Sequence, residues 1–316
     1  MSEASPQHDS PGQRAWLRFK SNRTAVISAW YLGILFLVVI AWPVLLKISP
    51  AGFAQAHNPN QLSDNQFAAP DGRHWFGTDI HGRDVFSRVL FGAQISLLVG
   101  IVGTLVSLVI GVLWGAAAGY IGGRTDSFLM RIVDVLYSLP NIIFVSVLIT
   151  TGGGIIRRSQ FIENSPALAG ELRVILLFVG LGAVSWLSMA RIVRGQVLSL
   201  RTRAFVEASR ALGATSHWVL ARHIIPNIFG VVITYLALTM PAIILYESFL
   251  SYLGLGIQPP MASWGTLIAE GVGQINAVRI YWWLIIFPGG ILVTTLLALN
   301  FVGDGLRDAW DIKNRP

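Results

Sequence analysis

The side chains that most often carry acid–base or metal chemistry are sparse in this chain, and their spacing is wrong for it. His8, His57, His74, His81, His217 and His223 are the only histidines, and no two stand at a metal-site spacing such as His-Glu-x-x-His. They are read as solvated or packed imidazoles, and no metal ligand is assigned. There is no cysteine, which removes disulfides, thiolate metal sites and a cysteine nucleophile together. No Gly-x-Ser-x-Gly is present to hold an activated serine. No Lys follows any Gly, so there is no phosphate cradle of the Gly-x-x-x-x-Gly-Lys-Ser/Thr kind, and the chain is not expected to hydrolyse ATP itself. A proton relay would place acids deep in apolar runs. The nearest candidates, Asp134 and Glu247, stand at the ends of such runs. No catalytic residue, cofactor or metal is therefore assigned.

One polar stretch does carry an ordered pattern. Residues 191–226 read RIVRGQVLSLRTRAFVEASRALGATSHWVLARHIIP. Around Glu207 the period is helical, with Phe205, Ala208 and Leu212 on one face and Arg203, Glu207 and Arg210 on another. The spacings Arg203–Glu207 and Glu207–Arg210 permit ion pairs on the helix surface. Gly213 is placed to end this helix, because glycine adopts positive φ without cost. Thr215 or Ser216 can cap a second, shorter helix that stops before Pro226. An amphipathic helix–turn–helix of this kind can dock into a groove on a partner. A solvated basic loop held by lipid charge is the competing reading.

The elements that must hold this stretch are membrane spans. Of 316 residues 53% are hydrophobic and only 12% charged, against about 25% charged in soluble domains, and the mean hydropathy is +0.61. Six uncharged runs approach or exceed the roughly 20 residues a spanning helix needs: 24–46, 89–123, 135–156, 174–190, 227–246 and 281–302. The fold class is all-α and integral to the membrane, since lipid offers no partner for an unpaired backbone group. With the N-terminus inside, 15 of the 23 Lys and Arg residues fall on the cytoplasmic side, which places both termini there. The resulting division is a cytoplasmic tail 1–23, a first span 24–46, an external loop 47–88, a core 89–303 containing the loop 191–226, and a tail 304–316. Residues 24–46 are too long for the core of a cleaved signal peptide. The net charge of +7 is assigned to anionic membrane lipid and not to nucleic acid, because the arginines flank apolar spans. Gly111, Gly115 and Gly119 permit close helix approach, either within this bundle or against a second membrane chain. Pro140, Pro241 and Pro288 stand in or beside spans and can bend them.

Glu207-Ala208-Ser209, three residues, Gly213, nine residues, and His223-x-Ile225-Pro226 resembles the loop signature of the permeases of binding-protein-dependent ABC importers. The family's loop reads Glu-Ala-Ala, Gly, Ile-x-Leu-Pro, so Ser209, His223 and Ile225 are departures. Further stretches resemble the C-type permeases of the peptide/nickel branch, oligopeptide type ahead of dipeptide type. These are FGTDIHGRDVFSR (76–88), GYIGGRTDSFLMRIVD (119–134), MARIVRGQVLSLR (189–201), ESFLSYLGLGIQPPMASWG (247–265) and NFVGDGLRDAWD (300–311). The external loop 151–173 is longer and more polar than is usual in that branch.

The resemblance implies a type I ABC importer permease fold. It implies as partners a second, B-type permease, two ABC ATPase subunits and an extracytoplasmic peptide-binding protein. Glu207, Ala208, Ser209, Gly213 and Pro226 would form the loop that couples to an ATPase subunit. Tyr246, Glu247 and Trp264 are candidates for the outer half of the pathway, with packing as the competing role. The substrates implied are oligopeptides or dipeptides. Nickel or another solute in an ABC importer, and a secondary carrier or channel without ATPase partners, are the alternatives. A membrane-embedded enzyme is not supported, for want of a nucleophile, base or metal cluster.

Overall fold

The computed structural model describes residues 11–158, 166–258, 261–276 and 278–310. Among these the chain is helical, with one isolated bridge between Thr78 and Asp84. The helices in order are α1 (Pro11–Ser21), α2 (Arg23–Ile48), α3 (Ala51–Ala56), α4 (Val85–Ile121), α5 (Gly123–Tyr137), α6 (Asn141–Arg158) and α7 (Pro166–Leu200). They continue with α8 (Ala204–Ala211), α9 (Ser216–Val219), a π-turn (Leu220–Ile224), α10 (Ile225–Tyr252), α11 (Trp264–Val272) and α12 (Trp283–Trp310).

Five helices are long and apolar enough to cross a membrane: Arg23–Ile48, Val85–Ile121, Ile175–Leu200, Ser216–Tyr252 and Trp283–Trp310. The third expected span, 135–156, is not one straight rod. It is the junction of α5 and α6, which meet at a bend of 86°. Pro140 explains the break: it has no N–H to donate, and it disfavours helical φ/ψ at Leu139 before it. α5 is held beside α7 by two ion pairs, Arg194 to both oxygens of Asp126 (2.5 and 2.7 Å) and Arg191 to Asp134 (2.8 Å). Asp134 is thus a paired, exposed group.

α4 and α7 form the most extensive helix pairing described. Gly111, Gly115 and Gly119 line it, facing Met189, the Ala190 carbonyl and Val193, and the Arg194 carbonyl and Val197. Their small size serves packing within this chain, not contact with another. α2 lies outside, against α12 and the start of α4. Its Ile27, Trp30, Ile34, Leu37, Ile40 and Val44 are exposed at helical spacing, which is the pattern of a face turned to lipid.

Several boundaries differ from those expected. Residues 191–200 continue α7 and do not belong to a loop. α6 reaches Arg158 and α7 starts at Pro166, so only 159–165 of the expected loop 151–173 lie outside the described residues. α12 runs on through Trp310, seven residues into the expected tail. In each case helix hydrogen bonding carries on past the last apolar residue, because charge ends the span but not the helix.

Candidate functional site

The helix–turn–helix is compact and rooted at both ends. α7 closes with the Arg201 N–H on the Val197 carbonyl (2.9 Å), and the Arg201 guanidinium donates to the Gly119 carbonyl (3.0 Å). Arg203 provides an extended N-cap backbone for α8. Val206, on the inner face of α8, is fully buried with Val193, Val197, Val219 and Ile224. That apolar cluster fixes α8 to both α7 and the second helix. Gly213 takes φ +84°. Its N–H donates to the Arg210 carbonyl (2.9 Å), and the Ala214 N–H donates to the Ser209 carbonyl (3.1 Å). This pair of bonds is the Schellman arrangement that absorbs the last carbonyls of a helix.

Thr215 has the backbone of an N-cap for α9 without a side-chain bond. The second helix does not stop before Pro226. A π-turn over Leu220–Ile224, with the Ile225 N–H on the Leu220 carbonyl, carries it directly into α10. The wider turn accommodates a residue that lacks an N–H and crowds the carbonyl four residues back. The Asn227 side-chain amide donates to the His223 carbonyl at 2.6 Å. The second helix and the span are therefore one continuous element, Ser216–Tyr252.

The expected surface ion pairs of Glu207 do not form. Glu207 is exposed without an ionic partner among the described residues, and the Arg210 guanidinium lies over the Tyr120 ring at 4.8 Å. The two largest departures from the family's loop face each other. Ser209 Oγ donates to the Phe205 carbonyl (2.8 Å) and stands 3.2 Å from His223 Nε2. The His223 ring packs near Phe205 and Trp218. No one-dimensional signal marks this pairing, because the two residues are 14 apart and on different helices. Apolar side chains stand out on the outward surface among charged ones: Leu212 is 90% exposed, Trp218 49% and Phe205 41%, with Ala208, Arg203, Glu207 and Arg222 exposed as well.

The other three sequence candidates lie elsewhere. Tyr246 is half-buried beside Asn141, Ile142 and Leu250. Glu247 is fully buried, and it accepts hydrogen bonds from Ser251 Oγ (2.7 Å) and Ser96 Oγ (3.0 Å). Trp264 is also fully buried. Its backbone N–H donates to Ser96 Oγ (3.3 Å), and its indole donates to the Val89 carbonyl (3.2 Å). Ser96 thus links Glu247 to Trp264, and the three tie α4, α10 and α11 together inside the wall of the bundle.

A charged cluster that sequence reading did not single out joins the segment before α4 to α11. Arg88, 4% exposed, donates to Asp79 (2.5 Å) and Glu270 (2.6 and 3.1 Å). Arg83 donates to the same Asp79 oxygen at 2.7 Å. Burial opposes ionisation of Asp79, but the Arg88 and Arg83 charges and the His81 and Arg83 N–H groups outweigh it, holding its carboxyl below the usual carboxylate value. Beside it the Trp283 indole donates to the Thr78 carbonyl (3.2 Å), and His74 Nδ1 stands 2.9 Å from Asp84. These contacts clamp residues 63–84 onto α11 and α12. The run Asp79–Asp84 with Arg83 and Arg88 is the only trace of this in the sequence. Among the described residues no three His, Asp or Glu side chains could hold a metal ion.

Comparison with known proteins adds two profile matches. Residues 107–315 match the family described as the binding-protein-dependent transport system inner membrane component. Residues 10–70 match the N-terminal transmembrane domain of oligopeptide transport permease C. An oligopeptide transport system permease protein of Haemophilus influenzae is 42% identical over 96% of this chain and 89% of its own length. Its Escherichia coli counterpart is 43% identical, over 96% and 91%. A dipeptide transport system permease protein of Bacillus subtilis is 41% identical, over 96% and 86%. Among solved structures, an inward-facing form of the MetNI methionine ABC transporter aligns with TM-score 0.54 at 19% identity, over 72% of this chain and 97% of that one.

Proposed function

This chain belongs to the family of binding-protein-dependent transport system inner membrane components, and on that premise we propose that it is the C-type permease of an ABC importer for oligopeptides. It is a multi-pass protein of the inner (cytoplasmic) membrane with the ABC importer permease fold. Transporters of this class combine membrane and ATPase subunits. The assembly we assign comprises this chain, a B-type permease, two ABC ATPase subunits and an extracytoplasmic peptide-binding protein. Relatives named for oligopeptide transport support the substrate class, and the dipeptide relative marks the neighbouring branch.

The observation that carries the mechanism is the set of exposed apolar side chains on α8 and α9 above a buried apolar support. Phe205, Leu212 and Trp218 face outward, while Val206, Val219 and Ile224 are buried against α7 and α10. A patch of this kind at a polar rim marks a protein interface. In our reading an ATPase subunit receives this patch, and Glu207, Ala208, Ser209, Gly213 and Pro226 shape it. ATP-driven closure of the ATPase pair then pushes on the helix–turn–helix. Because that element is continuous with α10, the push reaches the span directly. Coupling of this sort needs an element with two arrangements that is biased from both ends. α1, the end of α12 and the root of α10 lie together, with Trp310 against Gly230, which supports placing both termini on the cytoplasmic side.

The test is purification of the tagged transporter in mild detergent, with wild-type chain and with the double variant Leu212→Asp/Trp218→Asp. Leu212 is 90% exposed and Trp218 49%, and neither belongs to the buried cluster around Val206, so circular dichroism of the variant should match wild type. The ATPase subunits should fall away at least tenfold in the variant, while the second permease stays bound. Equal recovery of the ATPase subunits would remove α8–α9 as their docking site.

A further inference from the structure

The first 13 described residues, 11–23, hold Arg14, Arg18, Lys20 and Arg23 and no acid. α1 buries one edge only. Ala15 and Phe19 pack on α12, where Gly305 has no side chain to obstruct Phe19, and Ala309 joins the same cluster. Arg14, Trp16, Leu17 and Lys20 are exposed, and Arg18 is half-buried. Trp16 is 56% exposed and Leu17 59%. Trp16 stacks on Phe19 with centroids 6.0 Å apart, and Lys20 Nζ lies 5.2 Å from the Trp16 ring. Asn22 alone separates α1 from α2 and caps α2 by accepting from the Ala25 N–H (3.2 Å). α1 is therefore set rigidly at the mouth of α2. The lipid-facing line of α2 begins immediately beyond, at Ile27 and Trp30.

We propose that α1 is a docking surface for anionic phospholipid, its Trp16 and Leu17 entering the acyl boundary and Arg14, Lys20 and Arg23 engaging headgroup phosphates. Three observations select this occupant. Arg14, Trp16, Leu17 and Lys20 lie together on one short helix, as an interfacial helix requires, with Arg23 at the first position of α2. The charge is of one sign and opposite to that of the headgroups. The exposed apolar residues of α1 are followed in the chain by a span face that already needs lipid, starting at Ile27 and Trp30. Trp16 under Lys20 gives an amphipathic ring at the headgroup level, where indoles concentrate in membrane proteins.

The experiment uses the full chain in nanodiscs and does not depend on what the protein transports. Because the chain has no cysteine, Leu17→Cys introduces the single thiol and carries an environment-sensitive fluorophore. Phosphatidylglycerol and phosphatidylcholine with brominated acyl chains are supplied separately, and quenching is read at position 17. Lipids retained by the unlabelled wild-type chain are counted by native mass measurement at equal supply. Phosphatidylglycerol should be retained in preference. That preference should fall by about fivefold per charge in Arg14→Gln/Lys20→Gln/Arg23→Gln, and should weaken in high salt on the unmodified chain. Equal retention of the two lipids, or an undiminished preference in the triple variant, overturns the proposal. So does a position 17 that lipid does not quench but an added ATPase subunit shields, since a protein would then occupy α1.

Discussion

Gly213 is the residue on which the coupling assignment can be tested most sharply, because its backbone and its surroundings make separate demands. Its φ of +84° lies where L side chains are disfavoured, yet nothing lies within 4 Å of where a Cβ would stand. Gly213→Ala therefore meets no clash, and its cost is the left-handed conformation alone, about 1–2 kcal/mol. Gly213→Asn should cost less, since asparagine tolerates that region. Gly213→Pro is different in kind. Proline fixes φ near −65° and removes the N–H that donates to the Arg210 carbonyl. The chain would have to turn elsewhere, and the Ala214-to-Ser209 bond would go with it. The forced change of φ and the two broken hydrogen bonds together cost roughly 3 kcal/mol at this turn, enough to displace α9 relative to α8. The spans do not depend on this turn, so the protein should still insert. The assay is peptide uptake by proteoliposomes holding the complete transporter, with insertion measured in parallel. Wild type, Asn and Ala should retain most of the uptake in that order, and Pro should abolish it with insertion unchanged. Uptake by the Pro variant at the wild-type rate would refute the reasoning.

Two further outcomes follow from the packing and the charges. The Asp79 carboxyl has a depressed pKa in the folded chain, so its contribution to the clamp on residues 63–84 is complete above the usual carboxylate value and is lost as pH falls through its lowered one. Protease cleavage or hydrogen exchange within residues 63–84 should therefore rise only in strong acid, and Asp79→Asn should show the open behaviour already at neutral pH. A Cβ at Gly115 would fall on the Ala190 carbonyl and press Val193, whereas a Cβ at Gly195 meets nothing. Gly115→Leu should lower the unfolding midpoint in detergent through about 1–3 kcal/mol of overpacking. Gly195→Ala should leave it unchanged or raise it, since alanine is the better helix former by about 1 kcal/mol.

What the sequence determined by itself was set by local chemistry and solvent. Long uncharged runs can only be helices in lipid, so the all-α fold and five of six spans are legible directly. The helix ending at Gly213 is legible too, because it turns on one residue's freedom to take positive φ. The signature around Glu207 and Gly213 led to the family without any geometry. The tertiary structure decided whatever depended on groups far apart in the chain. The 86° bend at Pro140 depends on α5 being held against α7 by Arg191 and Arg194. Proline alone does not specify it, since Pro241 sits inside an unbroken α10. The passage through Pro226 depends on a π-turn, which has no residue signature. Glu207 is spaced for ion pairs, but Arg210 turns to Tyr120 on α4, a contact that local spacing cannot show. Glu247 and Trp264 are far apart in sequence from Ser96, which joins them in the bundle wall. Arg88 and Glu270 are 182 residues apart. Sequence period reports which side of a helix is apolar, but not which distant helix fills the space beside it, and that is decided when the bundle packs.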